Sequence, residues 1–192
     1  LVILKIGWIK VKTWLISDTH FGHRNILTFK TFDGKIERSL RDFKDVDHMD
    51  WTMVANWNKV VGPEDKVYHL GDVAICTWNH LHPILSSLNG RKVLIKGNHD
   101  TLKLSQYAQH FYDIRGYHIL DGILLAHIPI HPESLSRWKG QVHGHLHANK
   151  MKEPFYMNVS VEQINYTPID FEEVKKYFDT YGRHRTNYME QR

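Results

Sequence analysis

The chain has 192 residues, 42% of them hydrophobic and 24% charged, which is the composition of one folded globular domain and excludes disorder as its dominant state. A lone cysteine, Cys76, excludes an intramolecular disulfide framework and fits a reducing cytoplasm, and no apolar run approaches the roughly 18 residues that a membrane-spanning helix requires. The formal net charge of +4 is a mild basic surplus that helps attract anionic ligands but is too small to establish nucleic-acid binding.

Residues 1–11 are apolar but interrupted by Lys5 and Lys10, and no small-residue cleavage site follows, so secretion is not expected and the segment is assigned no function. A single domain is expected over 1–192, with its core at about 13–180. Residues 13–17 read as a buried strand ending at Asp18. Val46, Met49, Met53, Val54, Trp57, Val60 and Val61 recur at helical spacing, which predicts a helix over 45–61 stopped by Gly62-Pro63; Trp51, Trp57 and the helical methionines read as core. A second strand over 67–70 runs into Gly71-Asp72. A helix over 78–88 and a strand over 92–96 follow, the strand leading to Gly97-Asn98-His99-Asp100.

Asp121-Gly122 lies between apolar segments 117–120 and 123–126 and predicts a tight hairpin. Short strands are expected at 141–143 and 155–159. Asp170 opens a last helix with Glu173 at the third position of a capping-box-like start, and residues 182–192 form a polar tail. The overall pattern is α/β, with polar residues gathered just past the carboxyl ends of strands, where open α/β sheets place their ligands.

Fifteen histidines are more than core packing or surface chance accounts for. Four clusters stand out: Asp18-Thr-His20, Gly71-Asp72, Gly97-Asn98-His99-Asp100, and Gly144-His145-Leu-His147, the last preceded by His127. In extended backbone residues i and i+2 point to the same side, so Asp18 with His20, and His145 with His147, are expected to act as two-toothed clamps. Taken singly the clusters are weak, because Asp-x-His is more often a strand-end cap and Gly-Asp more often a turn. Their order and placement carry the information.

In the order D-x-H, G-D, G-N-H-D, H and G-H-x-H, the sequence resembles the calcineurin-like metallophosphoesterase superfamily from about Trp14 to Tyr177; S-D-T-H-F-G-H-R-N-I-L and Y-H-L-G-D look like its small stand-alone members in bacteria and phages. The resemblance implies a four-layer αββα sandwich, two mixed β-sheets flanked by helices. It implies a dinuclear centre, with Asp18, His20, Asp72 and His147 around one ion, Asp72, Asn98, His127 and His145 around the other, and Asp72 shared. Imidazole and carboxylate together suit Mn²⁺, the first expectation, and also Fe, Zn²⁺ or Ni²⁺. The implied activity is hydrolysis of a phosphate mono- or diester by a hydroxide held between the two ions.

By the same analogy His99 is the proton donor to the leaving oxygen, and Asp100 orients its ring. His127 is preferred to His131 as the fourth-motif ligand, and His69 and His143 are expected to support ligands rather than to be ligands. His23, Arg24 and Asn25 are expected at the rim, holding a phosphate or a sugar hydroxyl. Ile75 stands where DNA-repair nucleases of the superfamily commonly show a histidine. A small phosphorylated metabolite or nucleotide is therefore the expected substrate, with a nuclease or a non-catalytic scaffold on the same fold as alternatives. The oligomeric state is left open.

Overall fold

The computed structural model describes residues 11–181; the expectations for residues 1–10 and for the polar tail over 182–192 lie outside that range. Within it the chain forms two mixed sheets, a small hairpin and four α-helices.

The first sheet has the order β11-β1-β4-β5-β6. It contains β1 (Thr13–Ile16), β4 (Lys66–His69), β5 (Arg91–Ile95), β6 (Phe111–Arg115) and β11 (Ile169–Asp170). Strands β1, β4, β5 and β6 run parallel, and β11 pairs antiparallel with β1. The second sheet, ordered β10-β9-β8-β7, contains β7 (Tyr117–Leu120), β8 (Ile123–Ala126), β9 (Gly140–His143) and β10 (Tyr156–Asn158), with β8, β9 and β10 parallel.

Side-chain alternation along the strands builds two cores. Trp14, Ile16, Val67 and Leu94 point to one face and pack with α1 (Val46–Val60) and α2 (Trp78–Ser87). Leu15, Tyr68, Val93 and Ile95 point to the other face and meet Ile123, Leu125 and Val142 of the second sheet. Phe171, Val174 and Phe178 of α4 (Phe171–Tyr181) join this inter-sheet core. The outer face of the second sheet is covered by a short 3₁₀ turn, Pro132–Leu135, and by Phe155, Trp138 and Met151.

α1 starts at Asp45, whose carboxylate accepts the His48 N–H at 2.8 Å, and its buried face is the predicted Met49, Met53, Val54 and Trp57. Trp51 departs from expectation. Two positions beyond Met49, it lies about 200° round the helix and is 51% exposed, so it is not core. The hairpin at Asp121-Gly122 forms as predicted, both residues taking positive φ.

At the last helix Asp170 accepts the N–H of Glu172 rather than that of Glu173, so the start is a shorter turn than a capping box. Elements that were not predicted include β6, β11, the single turn α3 (Leu104–Tyr107), the 3₁₀ turns Arg24–Thr28 and Pro132–Leu135, and a hairpin of β2 (Lys30–Asp33) with β3 (Ile36–Ser39). Among the described residues no helix is long and apolar enough to cross a membrane.

Because β1, β4 and β5 are parallel, their carboxyl ends lie along one edge, and the carboxyl ends of β8 and β9 reach the same place. Residues just beyond β10 join the sheets there: the Ser17 N–H donates to the Val159 carbonyl, and the Val159 N–H to that of His143. Five strand-end loops therefore converge.

Candidate metal centre

The five loops carry Asp18 and His20, Asp72, Asn98, His127, and His145 and His147. Their donor atoms gather into two groups able to hold a metal ion, Asp18 with His20 and His147, and Asp72 with His127 and His145; within each, one donor atom per residue lies within 4.8 Å of the others. Asp72 Oδ2 stands 3.6 Å from His20 Nε2 of the first group and 3.2 Å from His127 Nε2 of its own. His147 Nε2 lies 3.9 Å from Asp18 Oδ1. Asn98 Oδ1 joins the second group, 3.0 Å from both His127 Nε2 and His145 Nδ1.

The backbone reaches this arrangement by a route the sequence reading did not foresee. Asp18, His20, Asp72, His145 and His147 all have positive φ, between 49° and 69°. The paired side chains are therefore presented by left-handed kinks and not by the i, i+2 alternation of an extended strand. That region is costly for residues with a Cβ, and it persists where surrounding structure over-determines it. Two glycines make room. A Cβ on Gly97 would run into the Asp72 carboxylate, and one on Gly144 into Ser17 and the Asp18 carboxylate.

Hydrogen bonds aim the candidate ligands. A carbonyl only accepts, so His127 Nδ1, 2.7 Å from the Leu70 carbonyl, carries a proton and turns Nε2 toward Asp72 and Asn98. His147 Nδ1 donates to Glu162 Oε1 at 3.0 Å, which turns its Nε2 toward Asp18. Asp18, fully buried, accepts the His145 N–H at 2.9 Å and the Ser160 hydroxyl at 3.0 Å. Arg41, also buried, donates to the carbonyls of Thr19 and Asp18 and to Glu162 Oε1, the last at 2.8 Å.

Burial and neighbouring charges shift the protonation of these groups in both directions. Burial pushes the Asp18 pKa up against the pull of His127 and His147. Burial opposes ionisation of Asp72 too, but the hydrogen bond and charge of His127 and the His99 N–H outweigh it and hold its pKa at about 2. For His127, Asp72 and Asp18 outweigh burial and raise the pKa. Burial, with Arg41 and His147, drives His20 down to about 2, so its ring is neutral.

His20 gives the sharpest test of fit. Both ring nitrogens are buried without a hydrogen-bond partner among the described residues, and Nε2 faces Asp72 and Asp18 at 3.6 and 3.9 Å. Those separations are too long for a hydrogen bond and suit a cation shared between ring and carboxylates. The donor set of imidazole, carboxylate and amide oxygen fits a first-row divalent metal.

The other expected residues fall into place unequally. His99 is exposed at the rim, its ring centroid 5.7 Å from that of His20 and its N–H donating to Asp72 Oδ1 at 2.8 Å. Asp100 does not orient the His99 ring. Its carboxylate is fully buried and accepts the N–H groups of Asp72, Val73 and Gly97 at 2.7 to 2.9 Å and the Tyr107 hydroxyl at 3.3 Å; these backbone donors lie in the loops after β4 and β5, outside the strand ladders.

His131 accepts the Glu133 N–H at the 3₁₀ turn, away from the centre, whereas His127 is in it. His69 bonds Thr19 Oγ1 at 2.9 Å, and His143 donates to the Gly144 carbonyl at 2.7 Å, each beside a ligand loop. His23 is half-buried with its ring 5.5 Å from His20, whereas Arg24 and Asn25 are exposed on the 3₁₀ turn Arg24–Thr28. The sequence reading missed Arg41, Glu162 and Ser160. Arg41 and Glu162 are 121 positions apart and no local pattern joins them; Ser160 had a weak signal, a polar break after the strand at 155–159.

No protein-family model matches the chain. The crystal structure of a protein of unknown function, AQ665 from Aquifex aeolicus, is similar with a TM-score of 0.64 and 29% identity, covering 86% of this chain and 98% of that one. Gene 66 protein of Mycobacterium phage L5 is 38% identical over 91 residues, 46% of this chain and 39% of that protein. The uncharacterized protein MJ1445 of Methanocaldococcus jannaschii is 35% identical over 179 residues, 88% of this chain and 92% of that protein. The chain belongs to the family of MJ1445.

Proposed function

We propose that the chain is a metal-dependent phosphoesterase of the calcineurin-like metallophosphoesterase superfamily, with Asp18, His20, Asp72 and His147 holding one divalent cation and Asp72, Asn98, His127 and His145 the other. The observation that carries this reading is the position of Asp72. One carboxylate faces His20 of the first group at 3.6 Å and His127 of the second at 3.2 Å, which is what two cations sharing a ligand require. The two mixed sheets, with helices outside the first, suit the αββα sandwich of that superfamily; a 3₁₀ turn and loops over the second sheet stand in the fourth layer.

When bound, two such cations polarise a phosphoryl group and make water nucleophilic near neutral pH. The chain's own residues do the rest. His99, exposed at the rim, is the proposed proton donor to the leaving oxygen, and the bond from its backbone N–H to Asp72 keeps the residue beside the shared ligand. Asp100 holds the loop that carries Asp72 in its left-handed turn. His23, its ring 5.5 Å from that of His20, is the first candidate among His23, Arg24 and Asn25 to bind the ester's oxygens. The expected substrate is a small phosphate ester or a nucleotide.

The test is a screen of aryl, cyclic and nucleotide phosphate mono- and diesters against protein loaded separately with Mn²⁺, Ni²⁺, Zn²⁺ or Fe²⁺. Metal-dependent turnover is expected, and His99→Ala is expected to lower kcat by about 10²- to 10⁴-fold with metal content unchanged. Absence of turnover with every pairing favours the scaffold. Loss of metal in proportion to activity in His99→Ala removes that residue's role.

A further inference from the structure

Beside the second group of ligands the surface opens into a cavity of about 520 Å³, reached past Asn98 and His127. Its walls are apolar: Leu124 and Ala126 from β8, Ile130, Trp138 and Tyr117. Tyr117, 63% exposed, and Ile128, at 49%, leave large apolar surface in water beside a polar centre, where neither side chain contributes to the buried core. Exposed Lys96 stands at the edge, and among the described residues no carboxylate pairs with it. The volume lies in the range of small-molecule sites and far exceeds what a bare phosphate needs. A polymer backbone would call for several cations along a groove, and Lys96 is the one cation in this lining.

We propose that this cavity receives the organic group of the phosphate ester, that the group is ring-sized and mostly apolar, and that Lys96 contacts an anionic oxygen of the same ligand. The inference rests on the phosphoesterase reading and adds the substrate class to it. Tyr117 and Trp138 offer flat faces to a ring, and Leu124, Ala126 and Ile130 exclude water beneath it. Asn98 and His127 line both the cavity and the metal centre, so a phosphoryl group at the centre places its ester substituent at the mouth.

Isothermal titration of Mn²⁺-loaded protein with phenylphosphonate and methylphosphonate, neither of which is hydrolysed, tests this without turnover, with metal content read on the same samples. The expected result is tighter binding of phenylphosphonate by about tenfold or more. Trp138→Ala and, because its side chain is exposed and its loss leaves the core intact, Tyr117→Ala are each expected to bring that ratio toward one. Lys96→Met is expected to weaken both ligands by a similar factor. Equal affinities in the unaltered protein, or a ratio preserved in both aromatic variants, overturns the proposal; if two metals per chain are bound, the phosphoesterase reading survives. Protein that binds neither metal nor phosphonate overturns both.

Discussion

Glu162 receives hydrogen bonds from His147 Nδ1 at 3.0 Å and Arg41 Nε at 2.8 Å, and through them one carboxylate aims a ligand and neutralises a buried guanidinium. Burial alone would raise its pKa, but His147 and Arg41 bring it below the ordinary value. Glu162→Gln keeps the volume and removes the charge, so apparent metal affinity is expected to fall about 10- to 100-fold. A metal titration showing unchanged affinity would remove Glu162 from the centre.

The candidate ligands were legible from sequence through the order and placement of their clusters, which carry the family resemblance, since each cluster taken singly is weak. Arg41 and Glu162 were not, because a buried ion pair between distant positions leaves no local trace. Nor was the bonding of Asp100, whose partners include the backbone N–H groups of Asp72 and Val73, 28 and 27 positions away.

Protonation follows from the same burial. His69 is held down to about 3 and His143 to about 4, in both cases first by desolvation. With folded values below the ordinary 6.5, the unfolded chain takes up these protons first as pH falls. Their contribution is complete above about pH 6.5 and is lost progressively toward pH 4 and then 3. Denaturant unfolding at pH 7 and pH 5 is expected to show lower stability at pH 5, with the loss on the order of 1–2 kcal/mol smaller in His143→Phe. An unchanged slope would mean that His143 is not buried neutral.

At the scale of elements, the decisive feature is the set of left-handed kinks closing β1, β4 and β9. Gly144→Ala is expected to cost about 1–3 kcal/mol of stability, because its Cβ meets Ser17 and Asp18, and to weaken metal binding more than that loss of fold explains. Wild-type metal affinity and stability in this variant would mean that the loop has room to move. The kinks were invisible beforehand because a left-handed Asp or His has the same letter as an extended one. Helix α1 was readable almost to the residue, since its period and the Gly62-Pro63 stop are local; the β2–β3 hairpin carries the same Asp-Gly turn signal as the one found at 121–122, but the side chains of β3 are exposed and its flanks show no apolar alternation.

Across the whole molecule, parallel pairing of β1, β4 and β5 brings three strand ends to one edge, and parallel β8 and β9 bring two more from the second sheet. The first sheet was largely foreseeable from its strand-helix-strand rhythm. The partnership of the two sheets was expected from the family resemblance alone and not from the residue pattern, because it depends on which face each apolar run turns inward, and β6 and β11 are defined by their neighbours more than by their own residues.

Asp72 stands between the two groups of ligands, and its shared carboxylate is the claim on which the account depends. The direct test is metal content per chain, by elemental analysis after Mn²⁺ loading, for the unaltered protein and Asp72→Asn together with phosphoester turnover. Two ions per chain in the former, and at most one with turnover abolished in the latter, is the expected result. Two ions retained with undiminished turnover in Asp72→Asn, or no stoichiometric metal in either protein, would contradict it.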